Sequence, residues 1–124
     1  MQEQTERSEQ TEAVAIIIPT LNESVVLPRL LPQLRALRPA PFEIIAVDGG
    51  SQDKTAETIN QSGFVRLIEH SVRGRAAQIN RGVTEARSSL ICVLHADTIL
   101  PADAVAVIRA PCAMRALLSR DSRH

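Results

Sequence analysis

Six consecutive residues, Ala13 to Ile18 (AVAIII), carry no polar side chain, and four of them are β-branched. A run this short cannot form a buried helix, and its unbroken apolarity leaves it no solvent face. It therefore predicts a strand covered on both sides, ending at Pro19. A strand buried on both faces belongs to a parallel sheet with helices above and below it. The remainder of the chain has to supply those partners.

It does so in regular alternation. The stretch TLNESVVLPRLLPQLRAL sets Val26, Leu30, Leu34 and Leu37 four and three residues apart, a helical stripe beginning near Ser24. Pro28 suits a first turn, whereas Pro32 removes a backbone donor and predicts a kink or an early stop. FEIIAVDGGS reads as a second strand running into a polar turn, and QDKTAETINQ as a helix capped by Ser51 or Asp53. FVRLIEH is a third strand, GRAAQINRGVTEA a helix opening on Gly74, and SLICVLHAD a fourth strand. The order predicts a mostly parallel α/β sheet with helices on both faces. A last helix, PADAVAVIRA, stops against Pro111. The expected division is a disordered polar tail over 1–12, one α/β domain over 13–110, and an atypical segment over 111–124 that interrupts the pattern in mid-fold. Missing strands are expected to expose apolar sheet edge.

Composition narrows the partners. Lys plus Arg and Asp plus Glu both number 14, so net charge gives no reason to expect nucleic acid or an anionic membrane. Cys92 and Cys112 have no zinc-like spacing, and Cys92, among Ile91, Val93 and Leu94, is expected in the core. Residues 1–12 lack the apolar segment of a signal peptide, and no stretch approaches the roughly 18 apolar residues of a spanning helix. A cytoplasmic protein is expected. Aromatic residues make up 2% of the chain, with no Trp or Tyr, which removes the usual stacking platforms for sugar rings.

Ligands of open parallel sheets bind beyond the carboxyl ends of the strands. There the sequence puts Thr20, Asn22 and Glu23 after the first strand, Asp48, Gly49, Gly50 and Ser51 after the second, and His95, Asp97 and Thr98 after the fourth. Asp48 is suited to accept hydrogen bonds from a base or ribose, although Asp-Gly is equally a common turn. Asp97 is a candidate for a hard divalent cation or, alternatively, a helix cap before Pro101. His95 would lie on the same side of an extended segment, as a ligand better suited to Mn²⁺ than Mg²⁺, or as a hydrogen-bonded histidine under a loop. Arg75, Gln78 and Gly82 share one helix face that could offer an arginine and backbone amides to phosphate, with Asn80 turned away; Arg75 alone is as readily a solvated side chain.

Taken together, IIIPTLNE, EIIAVDGGSQDKT, GRAAQINRG and LICVLHADT resemble, in order and spacing, the family 2 glycosyltransferases of GT-A fold, over roughly residues 13–110. The resemblance implies a Rossmann-like, incomplete nucleotide-sugar-binding half. It implies that Thr20 and Glu23 line the nucleotide pocket, that Asp48 binds the nucleobase with Gly49 beside it, and that Arg75 lies near the nucleotide. Asp97 is then the second acid of a DxD motif on Mn²⁺ or Mg²⁺ and the donor diphosphate, with His95 where most relatives carry the first Asp. Such enzymes transfer a sugar from a nucleotide-sugar to an acceptor hydroxyl with inversion. The base they use is expected beyond the end of this chain, so the chain is expected to turn over weakly or not at all. The acceptor and oligomeric state stay open. Three other classes are weighed beside it: a non-catalytic nucleotide-sugar-binding module, a Rossmann-like methyltransferase suggested by VDGGS, and a structural domain without ligand.

Overall fold

The computed structural model describes residues 13–70 and 74–109. The polar segment 1–12, the segment 111–124 and Cys112 lie outside the described residues. Four strands, β1 (Val14–Thr20), β2 (Glu43–Asp48), β3 (Arg66–Glu69) and β4 (Leu90–Val93), form one sheet in the order β3-β2-β1-β4, every neighbouring pair parallel. Between and after them come α1 (Leu27–Arg35), α2 (Thr55–Ser62), α3 (Arg75–Glu85) and α4 (Ala104–Arg109). This is the sheet that the apolar run demands. β1 is central, and all seven of its residues are buried.

Strand pleat divides the core in two. Val14, Ile16 and Ile18 face one side with Ile44 and Ala46, where Leu27, Leu30 and Leu34 of α1, Leu37 just beyond it, Ile59 of α2 and Val105 and Ile108 of α4 cover them; Val26 of the expected stripe is only partly buried, and Leu27 takes its place. Ala15, Ile17, Ile45, Val47 and Ile68 face the other side, covered by α3. Gly82 makes that second contact possible. A Cβ there would stand 2.5 Å from Ile17 Cγ2 and 3.1 Å from Val47 Cγ2, so only glycine lets α3 lie so close to the sheet.

Three elements depart from the sequence expectation. β1 does not end at Pro19 but continues to Thr20, Pro19 pairing with Val47 of β2. The imide ring can sit there because alternate residues of β1 bond to opposite neighbours. Odd-numbered carbonyls such as those of Ala13 and Ile17 accept from Leu90 and Leu94, whereas Val14 and Thr20 accept from Phe42 and Gly49 on the β2 side. Pro19 therefore interrupts only the β4 ladder, whose last rung is Leu94 N–H on the Ile17 carbonyl, and β4 ends at Val93 rather than running on to Asp97. Finally, α1 starts at Leu27 rather than near Ser24, with Pro28 in its first turn, and it passes through Pro32 to Arg35.

β4 is an edge strand. Leu90 and Cys92 pack against the larger core, and burial pushes the Cys92 thiol above its ordinary pKa, as expected of a core cysteine. Ile91 and Val93 on the opposite face stay 37% and 40% exposed, so the expected apolar edge is present. No helix among the described residues is long and apolar enough to cross a membrane.

Candidate functional site

The carboxyl ends of β1 and β2 lie side by side, with Thr20 paired to Asp48. Both are buried, at 1% and 2% exposure, and the Thr20 hydroxyl donates to Asp48 Oδ1 at 2.9 Å. Asp48 Oδ1 also accepts the Ser51 hydroxyl at 2.6 Å, while Oδ2 accepts the N–H groups of Gly50 at 3.1 Å and Ser51 at 2.8 Å. A carboxylate has about four acceptor positions. On Asp48 four protein donors occupy them and hold the carboxylate at the joint end of β1 and β2. Gly49 is likewise committed inward: it is buried, its N–H donates to the Thr20 carbonyl at 3.0 Å, and a Cβ on it would meet the Gln78 amide at 2.9 Å.

Gln78 itself is buried beneath these strand ends. Its Nε2 donates to the carbonyls of Thr20 at 3.0 Å and Val47 at 2.8 Å, tying α3 to both strands. The face that carries Gln78 and Gly82 is thus the sheet-packing face, and not a phosphate-facing one. Arg75, in the first turn of the same helix, remains exposed, as does Asn80.

The loops after β1 and β2 are stapled together. Three successive amides of the first, those of Asn22, Glu23 and Ser24, donate to Ser51 Oγ at 2.8 Å, Thr55 Oγ1 at 2.7 Å and Asp53 Oδ2 at 3.2 Å of the second. In return, Gln52 N–H donates to Asn22 Oδ1 at 2.8 Å. Asn22 holds a left-handed backbone, φ 55°, a conformation that asparagine tolerates better than most residues. The N-cap of α2 is Lys54, with no side-chain cap bond, in place of the Ser51 or Asp53 expected; Asp53 instead accepts Thr55 N–H at 2.9 Å in the turn before it, and the Thr55 hydroxyl with the other donors holds its carboxyl well below the ordinary range. Ser51 caps nothing, being engaged between Asp48 and Asn22.

Beyond β4 the chain forms a turn, Thr98 N–H donating to the His95 carbonyl at 3.0 Å, in place of the extended segment expected. His95 and Asp97 are both exposed, with Ala96 buried between them. Helix capping by Asp97 is ruled out by distance along the chain, since α4 starts only at Ala104. The turn is pinned from α1: Arg29 Nη2 donates to the Asp97 carbonyl at 3.0 Å, and Gln33 Oε1 accepts Leu100 N–H at 2.7 Å. Neither residue was marked by sequence reasoning, because both contacts go to backbone nearly seventy residues away.

Burial raises the Glu23 pKa above its ordinary value, a backbone hydrogen bond at Leu21 opposes that, the charges of Asp97 and Asp53 push it further up, and that of Arg75 pulls it down. The structure therefore sorts the expected residues into a buried floor of Thr20, Asp48 and Gly49 and an accessible rim of Glu23, Arg75, His95 and Asp97. Among the described residues no three His, Cys, Asp or Glu side chains converge into a ready-made metal cage. Asp97 suits the other arrangement, in which a hard cation keeps waters and shares one or two carboxylates with substrate phosphates.

Comparison with known proteins agrees with this architecture. Poly-beta-1,6-N-acetyl-D-glucosamine synthase of Staphylococcus aureus is 34% identical over 102 residues, covering 77% of this chain and 24% of that protein. The crystal structure of S. aureus TarS 1–349 in complex with UDP-GlcNAc superposes with a TM-score of 0.68 at 18% identity, over 76% of this chain and 29% of that one. A mannosyltransferase from Pyrobaculum calidifontis, in complex with GDP-Man and Mn²⁺, gives a TM-score of 0.65 at 24% identity, over 71% of this chain and 28% of that one. The chain spans about a quarter of the length of these proteins. The fold is accordingly part of a GT-A fold. Residues 15–111 match the sequence profile of glycosyl transferase family 2, and the chain belongs to that family.

Proposed function

We propose that the described domain is the donor-binding part of an inverting glycosyltransferase, receiving a nucleoside-diphosphate sugar at the carboxyl edge of the sheet with a divalent cation, Mn²⁺ or Mg²⁺. The observation that carries this reading is the edge itself: accessible Asp97 on the turn after β4, accessible Arg75 at the start of α3 and half-buried Glu23 after β1 all stand at the carboxyl end of the sheet. Arg75 would pair with phosphate oxygens. Asp97 would share the cation with the diphosphate, and a cation held there neutralises charge on the departing diphosphate. His95, exposed two residues away, would serve as a further ligand. Thr20, Asp48 and Gly49 form the floor on which the nucleoside rests. The nucleotide-sugars and Mn²⁺ of the fold relatives support the donor class and the use of a cation. The acceptor and the base that deprotonates it belong to parts of the enzyme outside this floor and rim. A half-buried free cysteine and a nucleotide-sugar donor both suit a cytoplasmic setting.

Thermal unfolding with UDP or GDP, with and without Mn²⁺, tests the proposal. A nucleotide at ~100 times its Kd stabilises the folded chain by roughly 2.7 kcal/mol. That gain is expected to need Mn²⁺ and to vanish in Asp97→Ala. A folded chain that no nucleotide stabilises, with or without metal, overturns it; binding without sugar transfer identifies a donor-binding module alone.

A further inference from the structure

We infer that Arg29 and Gln33 are positioning residues: from one row of α1 they grip the backbone of the segment after β4 and fix where Asp97 stands relative to Glu23. What Asp97 holds is taken from the donor site proposed above, whereas the grip belongs to the free chain and is measured there. Arg29 and Gln33 lie four residues apart in α1 and are therefore neighbours on its surface. Arg29 Nη2 donates to the Asp97 carbonyl at 3.0 Å. That bond takes a backbone oxygen, so the exposed Asp97 carboxylate is not spent in it. The Gln33 amide serves two neighbours in a single orientation: Oε1 accepts Leu100 N–H at 2.7 Å, and Nε2 donates to the Arg29 carbonyl at 3.2 Å. Just past the helix, Arg38 N–H donates to the Ala102 carbonyl at 3.0 Å. Positions 29, 33 and 38 thus meet 97, 100 and 102 in rising order, and the connection from β4 to α4 lies along α1 in the same direction. Leu100 adds a partly buried apolar contact with the larger core. At its head the same helix holds Glu23, whose carbonyl accepts the N–H groups of Val26 and Leu27 at 3.0 and 3.1 Å. One rod carries both acids, one in its entry turn and the other on its flank. Arg29 is exposed and Gln33 half-buried, so neither fills the core, and their removal is expected to show in placement more than in stability.

The experiment is amide hydrogen exchange by NMR on the free chain, followed by calorimetric titration with UDP and with GDP, each with and without Mn²⁺, for wild type, Arg29→Met and Gln33→Met. Methionine keeps the apolar stem of either side chain and removes its hydrogen-bonding end. Leu100 N–H loses its acceptor in Gln33→Met, so its exchange is expected to rise about tenfold or more while amides of β1 and β2 keep theirs. In Arg29→Met the turn bond from Thr98 N–H to the His95 carbonyl is expected to exchange about threefold faster or more. Mn²⁺ is expected to tighten nucleotide binding by wild type, and each variant to lose about tenfold of that gain, with metal-free affinity kept within about threefold. A loss confined to metal-assisted binding is the signature of a displaced Asp97. Neither variant opens the buried core, and each tests the grip by itself, so one that fails to fold leaves the other to decide. Unchanged Leu100 exchange in Gln33→Met together with unchanged Thr98 exchange in Arg29→Met overturns the inference, as does a metal-assisted gain equal to that of wild type in both. So does an Arg29→Met chain that loses metal-free and metal-assisted affinity alike while Gln33→Met loses neither, the result for an arginine that touches the diphosphate itself. Should wild type bind neither nucleotide, or bind without help from Mn²⁺, the donor-site proposal fails, and the Leu100 and Thr98 exchange rates still decide whether α1 holds the turn.

Discussion

The two faces of the sheet are closed in different ways. On one, α1, α2 and α4 fill the space with volume: Leu27, Leu30, Leu34 and Leu37 from a single stripe lie against Ile16, Ile18 and Ile44. On the other, one helix does the covering with little side-chain bulk, because Gly82 admits the backbone and Gln78 bonds to the ends of β1 and β2. The first arrangement tolerates adjustment, since leucines can shift rotamers. The second fixes α3 in position, and with it Arg75 at the rim of the site. Stability is concentrated on the crowded face and positional accuracy on the sparse one.

This contrast can be tested by substitution. The largest effect is expected on the crowded face: Leu30→Ala, at a site 1% exposed, should cost roughly 3 kcal/mol by urea denaturation, with any nucleotide affinity of the folded fraction unchanged. Gly82→Ala should cost less, about 1–2 kcal/mol, because overpacking against Ile17 is offset in part by the better helix propensity of alanine. Its signature is different, however. Lifting α3 moves Arg75, so the Mn²⁺-dependent shift with UDP should shrink in Gly82→Ala and persist in Leu30→Ala; the reverse result would erase the distinction between the faces. The smallest effect belongs to the rim. Glu23 has a raised pKa when folded, chiefly through burial, so its protonated form favours the fold. That contribution is complete below the ordinary Glu pKa and is lost as pH rises through the raised value. Glu23→Gln should accordingly raise the thermal midpoint slightly at pH 7 and leave it unchanged near pH 4, as read by calorimetry at the two values.

Much of the architecture was legible in the sequence because it depends on local pattern. The AVAIII run demanded two covering layers, and the leucine stripe marked the helix that supplies one of them. The spacing of Gln78 and Gly82 correctly placed them on one face of α3, but spacing does not say whether a face turns toward ligand or toward sheet. That choice rests on Gly82 meeting Ile17, a contact across 65 positions of chain, and on a glutamine used as a buried tie. Asp48 was legible as a residue of the site edge, whereas its bonds to Thr20, Gly50 and Ser51 were not, since Thr20 lies 28 residues away and the turn geometry of Gly50 is set only once the loops meet. His95 and Asp97 were expected on an extended segment and lie instead on a turn, for a reason visible in one residue: Pro19.

Lacking an N–H, Pro19 cannot bond to the carbonyl of Leu94, so the sheet splits there like a fork, β1 continuing beside β2 while the other branch bends away with His95 and Asp97. The width of the mouth between the branches is thus governed by a hydrogen atom that the chain does not have. A residue with an N–H at position 19 would be free to zip one rung further, drawing the Asp97 turn into the sheet and narrowing the opening through which a donor would enter.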